Sequence, residues 1–340
     1  TTEYEILSGL VGSEMCIRDR SPKLKLQSGQ DPYNEDNYKI FNQKDYAPDK
    51  MHIKAQDFIE KNKYNPFFLY YASPIPHAPL QAPEYLIEKY RKIIGDEEPY
   101  LGNVGYFPTR YPRATYAAMI EYIDIQVGEI VQQLKDNGIY ENTIIMLTSD
   151  NGPTYAGGVD FKYFNSTGVF QNDPKRMKGY TYEGGVRVPF IVSWPNKIKS
   201  KRVIDDISIS YDIFPTITEL SGVNDSNTYP TDGISLYNIF TDKNSSLERD
   251  YIYWEFPSYG GQLAARIGDY KAILKDIKKG NKQIELYNLS IDLKEQNDIS
   301  SEYPDIVRDF QNIIKKEHVR SDIERFEMGY IDEIKSLKNE

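Results

Sequence analysis

Residues 148–152, Thr-Ser-Asp-Asn-Gly, set a carboxylate beside a carboxamide. Both offer hard oxygen donors, suited to Ca2+ or Mg2+ and poor for zinc. Asp150-Asn151-Gly152 is also good turn chemistry, and taken alone a plain turn is its ordinary reading. Lys178 stands at the head of a glycine-rich stretch, with Gly179 and then Glu183-Gly184-Gly185. A lone lysine is ordinarily a solvated surface charge. Beside paired glycines, which let the backbone pass close to something, it could instead neutralise an anionic group. His77 lies among Pro74, Pro76, Pro79 and Pro83, just past an apolar run. Prolines restrict the backbone there. Taken alone, such a histidine is ordinarily a capping or packing residue, yet of the three histidines it has the one active-site-like context. His52 falls within a helical pattern and reads as a surface or helix-face residue.

These side chains need elements to hold them. Ile144-Ile145-Met146-Leu147 is an unbroken apolar run, read as a buried parallel strand covered on both faces. Asp150 follows its carboxyl end, where ligands collect in open α/β sheets. Residues 66–71 and 190–194 read as further buried strands. Helical spacing predicts helices at 48–61, at 85–94 and, most strongly, at 114–137. In the last, Tyr116, Met119, Ile120, Ile123, Val127, Ile130, Val131 and Leu134 form one stripe and Gly138 ends it. Helix followed by strand predicts an α/β sheet. Residues 204–222 read as one more strand and a helix at 212–220. The loop at 95–112 reads as the rim of a cleft. In the insert at 154–175, Gly157, Phe161, Tyr163 and Phe164 could contact a sugar or merely pack. Residues 224–246 are linker-like. Beyond Asp250, short strands at 251–256, 262–267, 270–274 and 284–289, with a Gly280-Asn281 turn, predict a small antiparallel module, closed by a helix at 304–316.

A chain of 340 residues can bury a large core and hold two domains. Charged residues at 27% and hydrophobic ones at 39% describe globular rather than disordered material. A formal charge of −10 argues against a general nucleic-acid binder. An anionic substrate would need a locally positive pocket on so acidic a protein. The single cysteine, Cys16, excludes an internal disulfide. No apolar run is long enough for a transmembrane helix.

Four stretches occur in order: P-F-F-L-Y-Y-A-S-P-I-P-H-A-P-L at 66–80, S-D-N-G at 149–152, M-K-G-Y-T-Y-E-G-G-V-R-V-P-F-I-V-S-W-P at 177–195, and Y-D-I-F-P-T-I-T-E-L-S-G at 211–222. Together they resemble the type I sulfatases, formylglycine-dependent and arylsulfatase-like, from about residue 46 to the end. The resemblance implies an α/β fold of alkaline-phosphatase type, with a largely parallel sheet flanked by helices and a small C-terminal antiparallel sheet-and-helix subdomain. It also implies hydrolysis of sulfate esters with one Ca2+ and a formylglycine made from the cysteine or serine of C/S-x-P/A-x-R. Matched residue by residue, Asp150 and Asn151 take the place of two metal ligands. Lys178 takes that of the lysine on the sulfate oxygens. His77 takes that of the histidine that protonates the leaving group. Glu183 and Arg187 match E-G-G-x-R and read as loop scaffolding, joined as an ion pair.

The paired aspartates, the nucleophile motif and a further lysine-histidine segment of that family belong upstream of residue 46, and the sequence there does not match them. Cys16 has Arg20 at the right offset, but Arg18 stands where Pro or Ala is required, so Cys16 is rejected as the nucleophile. The expectation is the C-terminal two thirds of a sulfatase, inactive as an isolated chain. Residues 1–20 would be a foreign or disordered tail, 21–245 a partial catalytic domain and 246–340 a subdomain. The expected partner is a sulfated small molecule or glycan, with no nucleic acid and no membrane span, in the periplasm or outside the cell by resemblance alone. A phosphoesterase on the same fold, or a non-catalytic glycan-binding module, are the alternatives.

Overall fold

The structure, a computed structural model, describes residues 25–42, 45–222, 230–242 and 244–333. The expectations for residues 1–20 and Cys16 lie outside them. The chain forms two compact units, one of Thr1–Thr143 with Thr154–Ser166, the other of Ile144–Pro153 with Thr167–Glu340.

In the first unit three helices match the predicted spacing: α1 (Ala47–Asn62), α2 (Glu84–Ile94) and α3 (Pro112–Asp136). Pro48 and Pro112 stand in the first turns of α1 and α3, where a missing N–H costs nothing. The buried carboxylate of Glu97 accepts hydrogen bonds from the backbone N–H groups of Arg113 (2.6 Å) and Ala114 (3.0 Å), satisfying the start of α3. Tyr116 and Met119 of the predicted stripe join Ile75, Leu80 and Val159 in the core, while Ile120 is 47% exposed. His52 corrects the surface reading. It is buried, with Nε2 2.8 Å from Glu129 Oε2 on α3, because its side of α1 is the side that packs on that helix. The run at 66–71 joins no ladder among the described residues, and Phe68 and Tyr70 are exposed. An apolar run records a preference for burial; a strand also needs a neighbouring backbone to pair with.

In the second unit β1 (Ile145–Thr148) pairs with β2 (Phe190–Ser193) in antiparallel register, Ile145 opposite Ser193. The run predicts the strand, but its parallel direction and its cover on both faces are not found here: Leu147 and Ile191 are exposed. Apolar character carries no sign of direction. Between the two strands lie a 3-10 turn at Pro174–Arg176 and one α-helical turn, α4 (Glu183–Val186). Residues 204–209 form no strand; Ile204 packs instead against Leu236, Ile239 and Phe240. The short α5 (Ile213–Leu220) follows the fully buried Asp212. Arg249 grips both oxygens of that carboxylate at 2.6 and 2.7 Å. A single turn, α6 (Tyr237–Thr241), leads on to the C-terminal module.

The predicted module is an antiparallel meander of β3 (Ile252–Phe256), β4 (Gln262–Ile267), β5 (Tyr270–Leu274) and β6 (Ile284–Asn288), in that order across the sheet. One face carries Leu263, Ala265, Ala272, Leu274 and Leu286 against Phe310, Ile313 and Ile314 of α7 (Pro304–Glu317). Each large apolar side chain buried there contributes about 1.5–3 kcal/mol. The opposite face is as well buried, and what it buries is the loop that carries Lys178.

Candidate functional site

The end of β1 and the Lys178 loop are locked together by backbone contacts. The N–H of Gly152 donates to Gly185 O at 2.9 Å, and the N–H of Lys178 donates to Pro153 O at 3.2 Å. Gly152 has no room for a side chain: a Cβ there would lie 2.0 Å from Gly184 O. Ser-Asp-Asn-Gly and Glu-Gly-Gly, read separately as turn and loop, are thus two halves of one close backbone packing. Asp150 and Asn151 sit on one side of it and Lys178 on the other.

The second face of the C-terminal sheet holds this loop, residue by residue. Gln262 Nε2 donates to Gly179 O at 2.8 Å, and Gln262 Oε1 accepts from the Thr181 N–H at 3.2 Å. Tyr182 is buried against Ala264, Ile273 and Tyr287. Its hydroxyl donates to Glu285 and accepts from Lys275 Nζ, the latter at 2.7 Å. The Arg176 guanidinium lies 4.2 Å over the Tyr182 ring and donates to Glu295 O.

Lys271, fully buried on β5, reaches Glu183 Oε1 at 2.7 Å and approaches Glu295 Oε1 at 3.3 Å. The second contact is an ion pair without hydrogen-bond alignment, since that oxygen has no hydrogen-bond partner. Glu295 Oε2 instead accepts from the Glu183 N–H at 2.7 Å. Burial pushes the Glu183 carboxyl up, but the Lys271 ammonium outweighs it and holds the group below the usual carboxylate range. For Glu295 burial wins, reinforced by the Glu183 charge, and its carboxyl is pushed up. One buried ammonium thus lies between two buried carboxylates and favours the charged form of Glu183 most. The expected Glu183–Arg187 ion pair is present but long, 3.4 Å, with Arg187 exposed. The lysine that anchors Glu183 comes from a strand 88 residues further on. The available signal was a lysine inside the apolar strand Tyr270–Leu274, where a charge needs a buried partner.

At the metal-ligand positions Asp150 is exposed and Asn151 half-buried. Asn151 Nδ2 donates to Gly152 O at 3.0 Å, so its oxygen takes no part in that bond. The donor type suits a hard cation, but such an ion takes six or more oxygens. Among the described residues no group of three or more His, Cys, Asp or Glu side chains comes together. Two donors do not make the site, and no chemical step is assigned to an ion here. Among the described residues the Lys178 ammonium has no carboxylate partner.

His77 is carried by the other unit. Its N–H donates to Pro74 O at 3.0 Å, and Ile75-Pro76 and Ala78-Pro79, on either side, are cis. Nδ1 lies 2.6 Å from Ala78 O. A carbonyl oxygen only accepts, so Nδ1 carries the proton and Nε2 is the atom that can exchange one. Gly157 closes over this loop, at φ +67 and with no room for a Cβ beside Ala78 and Tyr106. Of the aromatics in that insert, Phe164 packs edge-on to Tyr116 at 5.3 Å, a core role.

A family model described as Sulfatase matches residues 21–223, and one described as N-sulphoglucosamine sulphohydrolase, C-terminal, matches residues 173–320. An uncharacterized sulfatase of Schizosaccharomyces pombe is 26% identical over 82% of this chain and 62% of its own. The N-acetylgalactosamine-6-sulfatase of Sus scrofa is 30% identical over 64% of this chain and 36% of its own. The crystal structure of Ps i-CgsB in complex with k-i-k-neocarrahexaose superposes with a TM-score of 0.65 at 28% identity, covering 80% of this chain and 55% of that one. The chain therefore spans less than two thirds of the length of these relatives. Their fold is the alkaline-phosphatase-like α/β fold, and this chain shares with them mixed helices and sheets and a small antiparallel C-terminal sheet. By the family model that covers more than half its length, the chain belongs to the sulfatase family.

Proposed function

We propose that this chain belongs to a hydrolase for sulfate esters on glycans. Lys178 is the cation for the non-bridging sulfate oxygens. His77 returns a proton from Nε2 to the alcohol as the sulfur–oxygen bond breaks. Asp150 and Asn151 are two of the ligands of one Ca2+, which would draw charge from the sulfate when bound. Residues 21–245 form the catalytic part and 246–340 the subdomain. The nucleophile, a formylglycine in the family, has no counterpart among the described residues, so the isolated chain turns over no sulfate ester. We place the protein in the periplasm or outside the cell, by family habit. No helix among the described residues is long and apolar enough to cross a membrane.

The observation that carries this reading is the packing of Gly152-Pro153 on Lys178 and Gly185. It brings a carboxylate-carboxamide pair and a cation with no carboxylate partner onto one backbone junction. N-acetylgalactosamine-6-sulfatase among the relatives favours a sulfated sugar as substrate. The test is binding of galactose 6-sulfate, followed by ligand-observed NMR. Lys178→Ala is expected to weaken binding about tenfold or more, the loss of one charge-assisted contact. Equal binding by wild type and variant would sink the proposal.

A further inference from the structure

The turn between β3 and β4 sets Tyr259 over the Lys178 loop. Its ring lies against Gly179, so closely that a Cβ on that glycine would come 3.0–3.3 Å from three ring carbons. Phe256 stacks on the ring at 5.9 Å with the planes 24° apart, and Tyr180 flanks it at 5.7 Å and 58°. The three aromatics thus form a ladder beside the residue that follows Lys178. Tyr259 is nonetheless 52% exposed, so its ring covers no core. Its backbone is left-handed, φ +50, a conformation that suits glycine or asparagine and disfavours a bulky side chain. Gly260 and Gly261 hold it there, accepting backbone bonds from Lys278 (2.9 Å) and Ile277 (3.2 Å). A tyrosine at this position serves neither the turn nor the core. What it supplies is a rigid, half-exposed aromatic face one residue from a cation.

We propose that Tyr259, backed by Phe256 and Tyr180, is a specificity-determining platform that stacks on the apolar C–H face of a pyranose whose sulfate is held by Lys178. The proposal rests on the sulfate-binding role of Lys178 and on the glycan substrate, and adds to them the side chain that recognises the sugar ring. A flat ring supplies contact area and little hydrogen bonding, so it selects for a pyranose face and leaves the sulfate to the lysine.

The experiment compares galactose 6-sulfate and inorganic sulfate by ligand-observed NMR on the whole chain, in wild type, Tyr259→Gly, Tyr259→Phe and Lys178→Ala. Tyr259→Gly removes the ring and suits the left-handed backbone, so its thermal transition is expected no lower than that of wild type. It is expected to weaken galactose 6-sulfate about five- to tenfold and to leave inorganic sulfate unchanged. Tyr259→Phe keeps both affinities. Lys178→Ala weakens both ligands. If Tyr259→Gly binds the sulfated sugar as wild type does while Lys178→Ala weakens it, the platform is overturned and the sulfate site stands. If wild type binds the two ligands equally, the platform is overturned; if it binds neither, or Lys178→Ala changes neither, the sulfate site falls and the platform with it.

Discussion

Replacing Lys271 by methionine keeps the length and apolar stem of the side chain and removes its charge. In the folded protein that leaves Glu183 and Glu295 facing one another without the ammonium now 2.7 and 3.3 Å away, with all three side chains buried. Removing one partner of a buried ion pair costs about 3–5 kcal/mol, because the charge left behind stays out of water. For a cooperative unit of about 150–250 residues, each kcal/mol lowers the midpoint by about 2–4 °C. The transition of the second unit should therefore fall by about 6–20 °C in scanning calorimetry. The pH dependence is fixed in sign. The Glu183 carboxyl is held below its ordinary value of 4.5 in the folded protein. It thus contributes stability above that value and loses it as pH falls through the folded pKa. Without Lys271 that contribution disappears, so the deficit of Lys271→Met should be full near neutral pH and shrink as pH falls below ~4.5, through the folded pKa of Glu183. Adding Glu183→Gln removes the stranded charge and should recover about 1–3 kcal/mol. A Lys271→Met protein within about 1 kcal/mol of wild type, or a double variant less stable than the single one, would refute the account of Glu183 as the anchored carboxylate.

Three further expectations rest on other parts of the fold. Gly152→Ala would push a methyl group to within 2.0 Å of Gly184 O, and should cost about 1–3 kcal/mol and speed hydrogen exchange at the residue 152 amide. Gly128→Ala, on α3 with nothing within 4 Å of the new carbon, should instead gain about 0.5–1 kcal/mol. His318 is buried, with Nδ1 2.9 Å from Glu255 and Nε2 3.2 Å from Asp332, while the Tyr253 hydroxyl donates to Glu255 at 2.7 Å. Burial lowers its pKa, but the two carboxylates outweigh burial and the net shift is upward from 6.5. Its stabilisation is complete below that value and is lost as pH rises through the folded pKa. The stability gap between wild type and His318→Gln, read from urea titrations, should narrow from pH 6 to 9; a widening gap would mean that His318 is held neutral.

The C-terminal module was legible almost strand for strand, since hairpins pair neighbours and their alternation is local. The α-helices of the first unit read equally well from their stripes and prolines. The runs at 66–71 and 204–209 did not, because their apolar residues announce burial and say nothing about a partner strand. At the candidate site the types of Asp150, Asn151, Lys178 and His77 could be read, as could the glycines beside them. That Gly152 and Gly185 meet could not, nor that Lys271 and Gln262 reach back some eighty residues to hold the loop. Those contacts join positions too far apart for any periodicity to connect. Tyr259 was hidden for another reason: nothing in Ser-Tyr-Gly-Gly reveals a left-handed tyrosine until the two glycines beside it have been placed.

The path of the chain also governs the order in which the protein can be made. It leaves the first unit after Thr143, returns at Thr154 and leaves again after Ser166. Val159 and Phe164, which complete the packing around Ile75 and Tyr116, emerge from the ribosome only after β1 has done so. The strand β1 must then wait for β2. At roughly 5–20 residues per second, several seconds pass in which neither unit has all its parts. The usual sequence, one domain finished before the next begins, is closed to this chain. A gene divided between Pro153 and Thr154 would give two polypeptides that each lack a piece of their own core.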